Sequence, residues 1–433
     1  MVNRCLVNGR SMLRKGLTLA VLFRFDAQMA LKWQFFLYPA AGMALLTTVV
    51  LHLALAPWRR SAGRHWTERA RLLWPARRVS MAIMFACSLS GGFLGGVERA
   101  SGLVNSYSVA GLVCGFLAGT FFFTRAIEPR YGFLTWLGET FWMVLVQFGI
   151  YGILLGLMWS MPNAVGSAEW LRFAVGLVGV LVIATGAWLP LLKLFPHKRK
   201  PEEERLEALV REVSVQTGVT PRWTFFSKSP KAFAGALVHL RSLVLTSRLM
   251  EILNDEELRA VLHHEVAHLR EGFGVKLSRL LPIMGISALA FMNPVEHLYG
   301  LTGIVLLFLC PVLCARLARA IARRMEHRAD DAAIQGADPV QYARALEKLY
   351  EANQMPAVMR SNSMVHPHLY DRMLAAGVTP DYARPERPGI MAWPGWVVLL
   401  MPAALMVLML TQIPTNAPRS SKARVQPRLE NHR

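Results

Sequence analysis

Two histidines and a glutamate stand together as His264-Glu265-Val266-Ala267-His268, within the stretch Leu253–Gly272 (LNDEELRAVLHHEVAHLREG). On a helix, residues four apart share one face and lie about 6 Å apart along the axis, so both imidazoles can reach a single metal ion. Zinc is the ion this donor pair suits. Glu265 borders the same face, where a carboxylate can take a proton from an attacking water without itself being a ligand. The surrounding residues supply the helix. Asn254 followed by Glu257 makes a capping box, Glu256 and Glu257 suit the positive end of the helix dipole, and Gly272 is placed to stop it. His263 points about 100° away around the axis and is not expected to be a ligand. His327 and His368 have the same standing.

A third donor comes from Glu326-His327-Arg328-Ala329-Asp330, where Glu326 and Asp330 stand one turn apart on a segment of helical character. Two histidines and a glutamate, with a fourth position open, are the coordination set of hydrolytic zinc sites. HExxH with a downstream ExxAD resembles the integral-membrane gluzincin metallopeptidases that include the HtpX proteases and the CAAX prenyl proteases. The resemblance implies His264, His268 and Glu326 as ligands of one zinc ion per chain and Glu265 as the general base. It also implies Asp330 as a partner that orients a ligand histidine. His366-Pro367-His368-Leu369-Tyr370-Asp371-Arg372 resembles the family's HPxxxxR segment. By that resemblance His366 and Arg372 would be catalytic, steadying the charge that develops on the scissile carbonyl, although Arg372 could equally pair with Asp371 or Asp330. Lys231-Ala232-Phe233-Ala234-Gly235-Ala236 resembles the NAFAxG segment before the zinc helix, with Lys231 departing from the usual residue. The resemblance implies that Phe233, Ala234, Gly235 and Ala236 hold extended substrate by backbone pairing. The residues alone equally allow a buried strand of a small sheet.

Composition says where such a site would work. The chain has 433 residues, a formal charge of +20 and 54% hydrophobic residues, and its charged residues, only 18% of the total, are bunched between long apolar runs. That is the distribution of a multi-pass membrane protein. The basic excess follows from the concentration of Lys and Arg in cytoplasmic loops, so nucleic-acid binding is not expected. The five cysteines, Cys5, Cys87, Cys114, Cys310 and Cys314, form no disulfide framework, and Cys310 and Cys314 lack the second pair that a cysteine zinc site needs.

Residues 1–32 read as an N-terminal arm, and Met29 offers a second start. Residues 33–195 read as a membrane domain of about five spans: Trp33–Trp58, Val79–Val97, Tyr107–Phe123, Phe133–Met161 and Leu171–Phe195. The loop Arg59–Arg78 carries seven arginines against Glu68, and His197-Lys198-Arg199-Lys200 follows the fifth span, which puts both on the cytoplasmic side. Gly111, Gly115 and Gly119 recur every fourth residue and predict a flat helix face for close packing. Glu139, near the start of its span, is a functional candidate as an acid inside a membrane helix, but it falls at the interface if the helix begins at Thr140.

Residues 196–380 read as the zinc peptidase domain. Glu202–Thr217 is predicted helical, Arg222–Ser227 and Ser242–Ser247 are predicted strands, and Pro339–Asn353 is a helix with Pro in its first turn. A membrane hairpin at about residues 280–315 interrupts the domain, its arms Leu280–Met292 and Tyr299–Ala315 parted by Asn293-Pro294-Val295-Glu296-His297. A hairpin returns the chain to the side it left, so Glu326 can meet the histidines. Residues 393–413 give a last span and 414–433 a polar tail. Eight spans would leave both termini outside, in conflict with their basic charge.

The expected fold is mainly α, with multi-pass membrane helices plus a gluzincin-like α+β zinc peptidase domain containing a small sheet. The expected activity is hydrolysis of peptide bonds in membrane or membrane-proximal proteins, in quality control or processing, with the domain facing the cytoplasm of a bacterial inner membrane. Its partners would be a protein or peptide substrate and the lipid bilayer. Two rivals are a sensor-transducer peptidase that cleaves a signalling partner, disfavoured by the short stretch after the last span, and a non-enzymatic scaffold, disfavoured by the intact ligand and base set.

Overall fold

The computed structural model describes residues 33–97, 102–194, 201–360 and 367–412. The expected N-terminal arm, the polar tail, the basic run 197–200 and His366 lie outside the described residues. The fold is mainly helical with one small sheet. Five of the described helices are long and apolar enough to cross a membrane: Trp33–Ala54, Tyr107–Ile127, Phe133–Ser160, Ser167–Thr185 and Leu281–Gly336.

The described chain begins with α1 (Trp33–Ala54), α2 (Trp66–Val97), α3 (Gly102–Ile127), α4 (Phe133–Ser160) and α5 (Ser167–Thr185). The glycine stripe does what its spacing predicts. A Cβ on Gly111 would strike the Phe36 backbone, one on Gly115 the Ala40 backbone, and one on Gly119 would come within 2.6 Å of Thr47, so α3 lies directly on α1. Two boundaries differ from expectation. The arginine-rich stretch expected as a loop is helical from Trp66 onward, as the first turns of α2. The span expected over Leu171–Phe195 instead runs from Ser167 to Thr185 and closes at Gly186 (φ 71°). There the Ala187 amide donates to Val182 and the Gly186 amide to Ile183, a left-handed closure that glycine adopts without penalty.

The chain continues with α6 (Pro201–Thr217), whose Leu206, Leu209, Val210 and Val213 face a common core. Strands β1 (Trp223–Ser227), β2 (Ala234–Leu237) and β3 (Ser242–Thr246) form a sheet in the order β1-β3-β2, with β1 parallel and β2 antiparallel to β3. Helix α7 (Asp255–Leu269) lays Leu258, Val261, Leu262, Val266 and Leu269 on that core, with Leu243 and Leu245 from β3 and Ala232 before β2. Small alanines at 232, 234 and 236 line one side of the β2 segment, which lets α7 come close.

The hairpin turns elsewhere than the sequence suggests. Helix α8 (Leu281–Ser287) leads through a 3-10 turn (Ala288–Phe291) into α9 (Met292–Gly336), which continues through Asn293–His297 as helix. The reversal sits at Gly300, whose φ of 56° and ψ of −147° are open essentially to glycine alone. Pro294 misled because a proline in the first helical turn is compatible with a helix. Gly285 packs against Pro311 and Cys314, so the two arms run antiparallel about that tip. Asn293 donates to the Met161 carbonyl (2.9 Å) and ties the hairpin to the far end of α4.

Helix α10 (Pro339–Ala352), capped by Asp338 on the Val340 amide (2.8 Å), α11 (Leu369–Ala375) and α12 (Trp393–Gln412) complete the described chain. Polar contacts join the first five helices to the chain that follows them. Trp58 donates to Gln354 (2.9 Å), Arg77 to the Asn353 carbonyl (2.8 Å), and Ser229 to Glu139 (2.7 Å). Glu139 also accepts from Tyr131 (2.7 Å), so this acid of α4 is held between Tyr131 and the Ser229 that follows β1.

Candidate metal centre

Helix α7 begins as the sequence predicts. The Glu257 amide donates to Asn254 (2.8 Å) and the Asn254 amide to Glu257 (3.0 Å), which closes the capping box and fixes where the helix starts. That start sets the phase of everything after it. His264, Glu265 and His268 are buried, and the hairpin delivers Glu326 from α9 to the same place. His264 Nε2 lies 3.7 Å from Glu326 Oε2, and His268 Nε2 lies 3.5 Å from Glu326 Oε1. One ligand atom from each of the three residues falls within 4.8 Å of the others. Two imidazole nitrogens and a carboxylate converging in this way fit a divalent ion of the zinc class.

The outer nitrogens are held as a metal site requires. With Nε2 of each ring turned inward, the neutral imidazole carries its hydrogen on Nδ1. His264 Nδ1 lies 2.9 Å from the Tyr342 hydroxyl and 3.1 Å from Asp330 Oδ1, and His268 Nδ1 lies 2.8 Å from Glu271 Oε1. Each carboxylate is backed by an arginine in turn. Arg372 donates to both oxygens of Asp330 (3.0 and 2.6 Å) and to the Tyr342 hydroxyl (2.7 Å), while Tyr342 donates to Asp330 (2.7 Å). Arg279 donates to both oxygens of Glu271, with Nε at 2.7 Å from Oε2. Two carboxylate–histidine pairs therefore fix the tautomer and tilt of both rings.

Electrostatics follow from this packing. Burial opposes a charge on His264, but the Asp330 and Glu326 carboxylates outweigh it and raise the metal-free imidazole to about 9. Burial also works against ionised Asp330 and Glu271. His264 and Arg372 nevertheless hold the first well below the usual carboxylate range, and His268 and Arg279 lower the second.

The residues read from sequence divide clearly. His264, His268, Glu326 and Asp330 meet. His263 bonds to Gln216 (2.9 Å) and His327 is exposed, so neither is in the donor set. His368 is buried and accepts from the Met359 amide (3.1 Å). Arg372 takes Asp330, and Asp371 takes Arg384 instead (2.6 Å). Phe233 lies beside β2 and is half exposed, its ring over Gly235, while Ala234, Gly235 and Ala236 lie in β2. Because β3 is central, β2 is an edge, and among the described residues no strand pairs with its outer side. Sequence reasoning passed over Glu271, Arg279 and Tyr342. Glu271 carried a local signal, one turn beyond His268; Tyr342 carried none.

The candidate site thus joins HExxH on one helix to ExxAD on another. Residues 200–377 match the family model for Peptidase family M48. A protease HtpX homolog of Persephonella marina is 32% identical over 36% of this chain and 61% of its own length. One from Dictyoglomus turgidum is 28% identical over 39% of this chain and 62% of its own. The chain thus spans about three-fifths of the length of these relatives. The crystal structure of S. mikatae Ste24p aligns with 77% of this chain and 98% of its own at a TM-score of 0.44 and 15% identity.

Proposed function

We propose that the chain is a membrane-embedded zinc metalloendopeptidase that hydrolyses peptide bonds in membrane or membrane-proximal proteins. The observation that carries this reading is the convergence of His264, His268 and Glu326, with Glu265 on the same helix and the open edge of β2 beside that helix. Bound there, a zinc ion would polarise the scissile carbonyl as a Lewis acid and acidify water to near neutrality. Glu265 takes the proton of the attacking water and passes it to the leaving amine. Extended substrate lies along β2 as an added antiparallel or parallel strand, which sets its scissile bond against α7. Asp330 and Glu271 keep the two rings facing inward, and Arg372 and Tyr342 keep Asp330 in place. Arg372 therefore supports the site from behind. His366 is the candidate donor to the developing oxyanion, on its motif alone.

The domain faces the cytoplasm of a bacterial inner membrane in this reading. The arginine-rich start of α2 contacts Asn353, the Arg130 turn contacts Glu251, and Arg316, Arg319, Arg323 and Arg324 follow the apolar arm of α9 on the way to Glu326. Zinc content measured together with cleavage of a panel of unfolded and membrane-protein substrates, for the parent and Glu265→Gln, tests the reading. Zinc near one per chain in both and cleavage in the parent alone is the expected result. Absence of zinc from both would sink the ligand assignment.

A further inference from the structure

Alternate residues of an edge strand turn their backbone groups toward the sheet and away from it. In β2 the pairing Gly235↔Val244, and the Thr246 amide donating to the Phe233 carbonyl (3.1 Å), place residues 233, 235 and 237 inward. The backbone groups of residues 232, 234 and 236 then point outward, where a substrate strand would pair. At Ala232 that outer position is already taken. The Ala232 amide donates to Asn353 Oδ1 (3.2 Å), and Asn353 Nδ2 donates to the Ala232 carbonyl (2.7 Å). One side-chain amide thus makes both bonds that a neighbouring strand would make.

Asn353 is held in turn by the membrane helices. Its carbonyl accepts from Arg77 (2.8 Å) of α2, and the same guanidinium reaches the Gln354 carbonyl (3.3 Å). The Trp58 indole, between α1 and α2, donates to the Gln354 side chain (2.9 Å). Gln354 has a φ of 48°, a left-handed conformation unusual for a residue with a side chain. Such strain persists where surrounding contacts over-determine it. On the other side of Ala232, Glu139 of α4 holds Ser229 (2.7 Å), whose hydroxyl also accepts from the Lys231 amide (3.2 Å).

We propose that Asn353 is a positioning residue that ends the substrate-pairing edge at Ala232 and so fixes the register of the substrate, and that the membrane helices hold it there through Trp58 and Arg77. This rests on the reading of β2 as the substrate edge. Substrate then pairs outward only through Ala234 and Ala236, and a slip past Ala232 meets the Asn353 amide. The membrane domain serves as more than an anchor, since it braces the element that sets the cleaved bond.

The test uses the full-length protein in detergent or bilayers, as parent, Asn353→Ala and Trp58→Phe. The sites of cleavage in one long unfolded substrate are mapped by mass spectrometry, zinc content is measured, and amide exchange is followed over residues 229–237. With Asn353→Ala the expected result is parental zinc, a new product displaced by two residues, the repeat of a strand, and faster exchange at Ala232. Trp58→Phe should speed the same exchange without altering the zinc-binding helix. An unchanged cleavage pattern in Asn353→Ala, in the face of lost protection at Ala232, would overturn the register role. Parental exchange in Trp58→Phe would overturn the membrane link. Should the parent cleave nothing, the substrate-edge reading itself fails, and the exchange data still decide whether the helices brace Asn353.

Discussion

Oδ1 of Asp330 stands 3.1 Å from Nδ1 of His264, while the same carboxylate accepts two hydrogen bonds from Arg372. A buried acid so placed makes the imidazole a better donor on its far side and fixes which nitrogen faces inward. Asp330→Asn keeps the size but loses the charge. Zinc affinity should fall by about 10- to 100-fold, the usual effect of removing such a partner, as read by competition with a chelating dye. It should also lose stability, because Arg372 is left buried without its counter-charge.

The second proposed ligand, His268, offers a cleaner separation of the two effects. Glu271 supports His268, but its own counter-charge, Arg279, is partly exposed, so water can take over part of the lost interaction. Glu271→Gln should weaken zinc by about tenfold, the lower end of the range for such partners, with a smaller fall in thermal midpoint than Asp330→Asn. Equal falls in midpoint would mean that the two arginines are alike in burial, against the structure.

Arg372 and Arg384 both pair with aspartates, and burial separates them. Arg372 sits wholly inside, bonded to Asp330 and Tyr342, while Arg384 meets Asp371 with nearly half of each side chain exposed. Removing one partner of a buried pair costs about 3–5 kcal/mol, whereas an exposed pair is worth less than about 1 kcal/mol. Arg372→Gln should therefore unfold readily or lose zinc, and Arg384→Gln should match the parent in denaturant midpoint. A catalytic Arg372 that does not support Asp330 would instead give loss of turnover with zinc and midpoint unchanged.

Local pattern carried much of this site into the sequence. The Asn254–Glu257 box and the four-residue spacing of His264 and His268 are set within one helix, so residue order alone displays them. Glu326 and Asp330 were visible through their motif, although the hairpin that brings them back was given the wrong tip. The polar run around Asn293 looks like a turn, yet only Gly300 can take the backbone conformation of the reversal. Tyr342 reaches His264 across 78 residues, and Asn353 reaches Ala232 across 121. Contacts of that separation leave no periodicity behind, since each partner only has to end at the right place in the fold. Arg372 shows the intermediate case. Its motif marked it, both candidate partners were named, and packing alone chose Asp330 over Asp371.

The α1–α3 packing gives a prediction independent of the metal site. A methyl group on Gly115 would collide with the Ala40 backbone, which cannot step aside without separating the helices. On α4, a Cβ on Gly152 meets nothing within 4 Å. Forcing an extra carbon into a packed contact costs about 1–3 kcal/mol, while alanine at an open helical position gains up to about 1 kcal/mol over glycine. Gly115→Ala should thus lower the thermal midpoint of the detergent-solubilised protein, and Gly152→Ala should leave it level or raise it. Zinc affinity should stay parental in both, because neither helix contributes a donor to the metal centre. Equal midpoints for the two variants would show that the glycine stripe does not carry the α1–α3 contact.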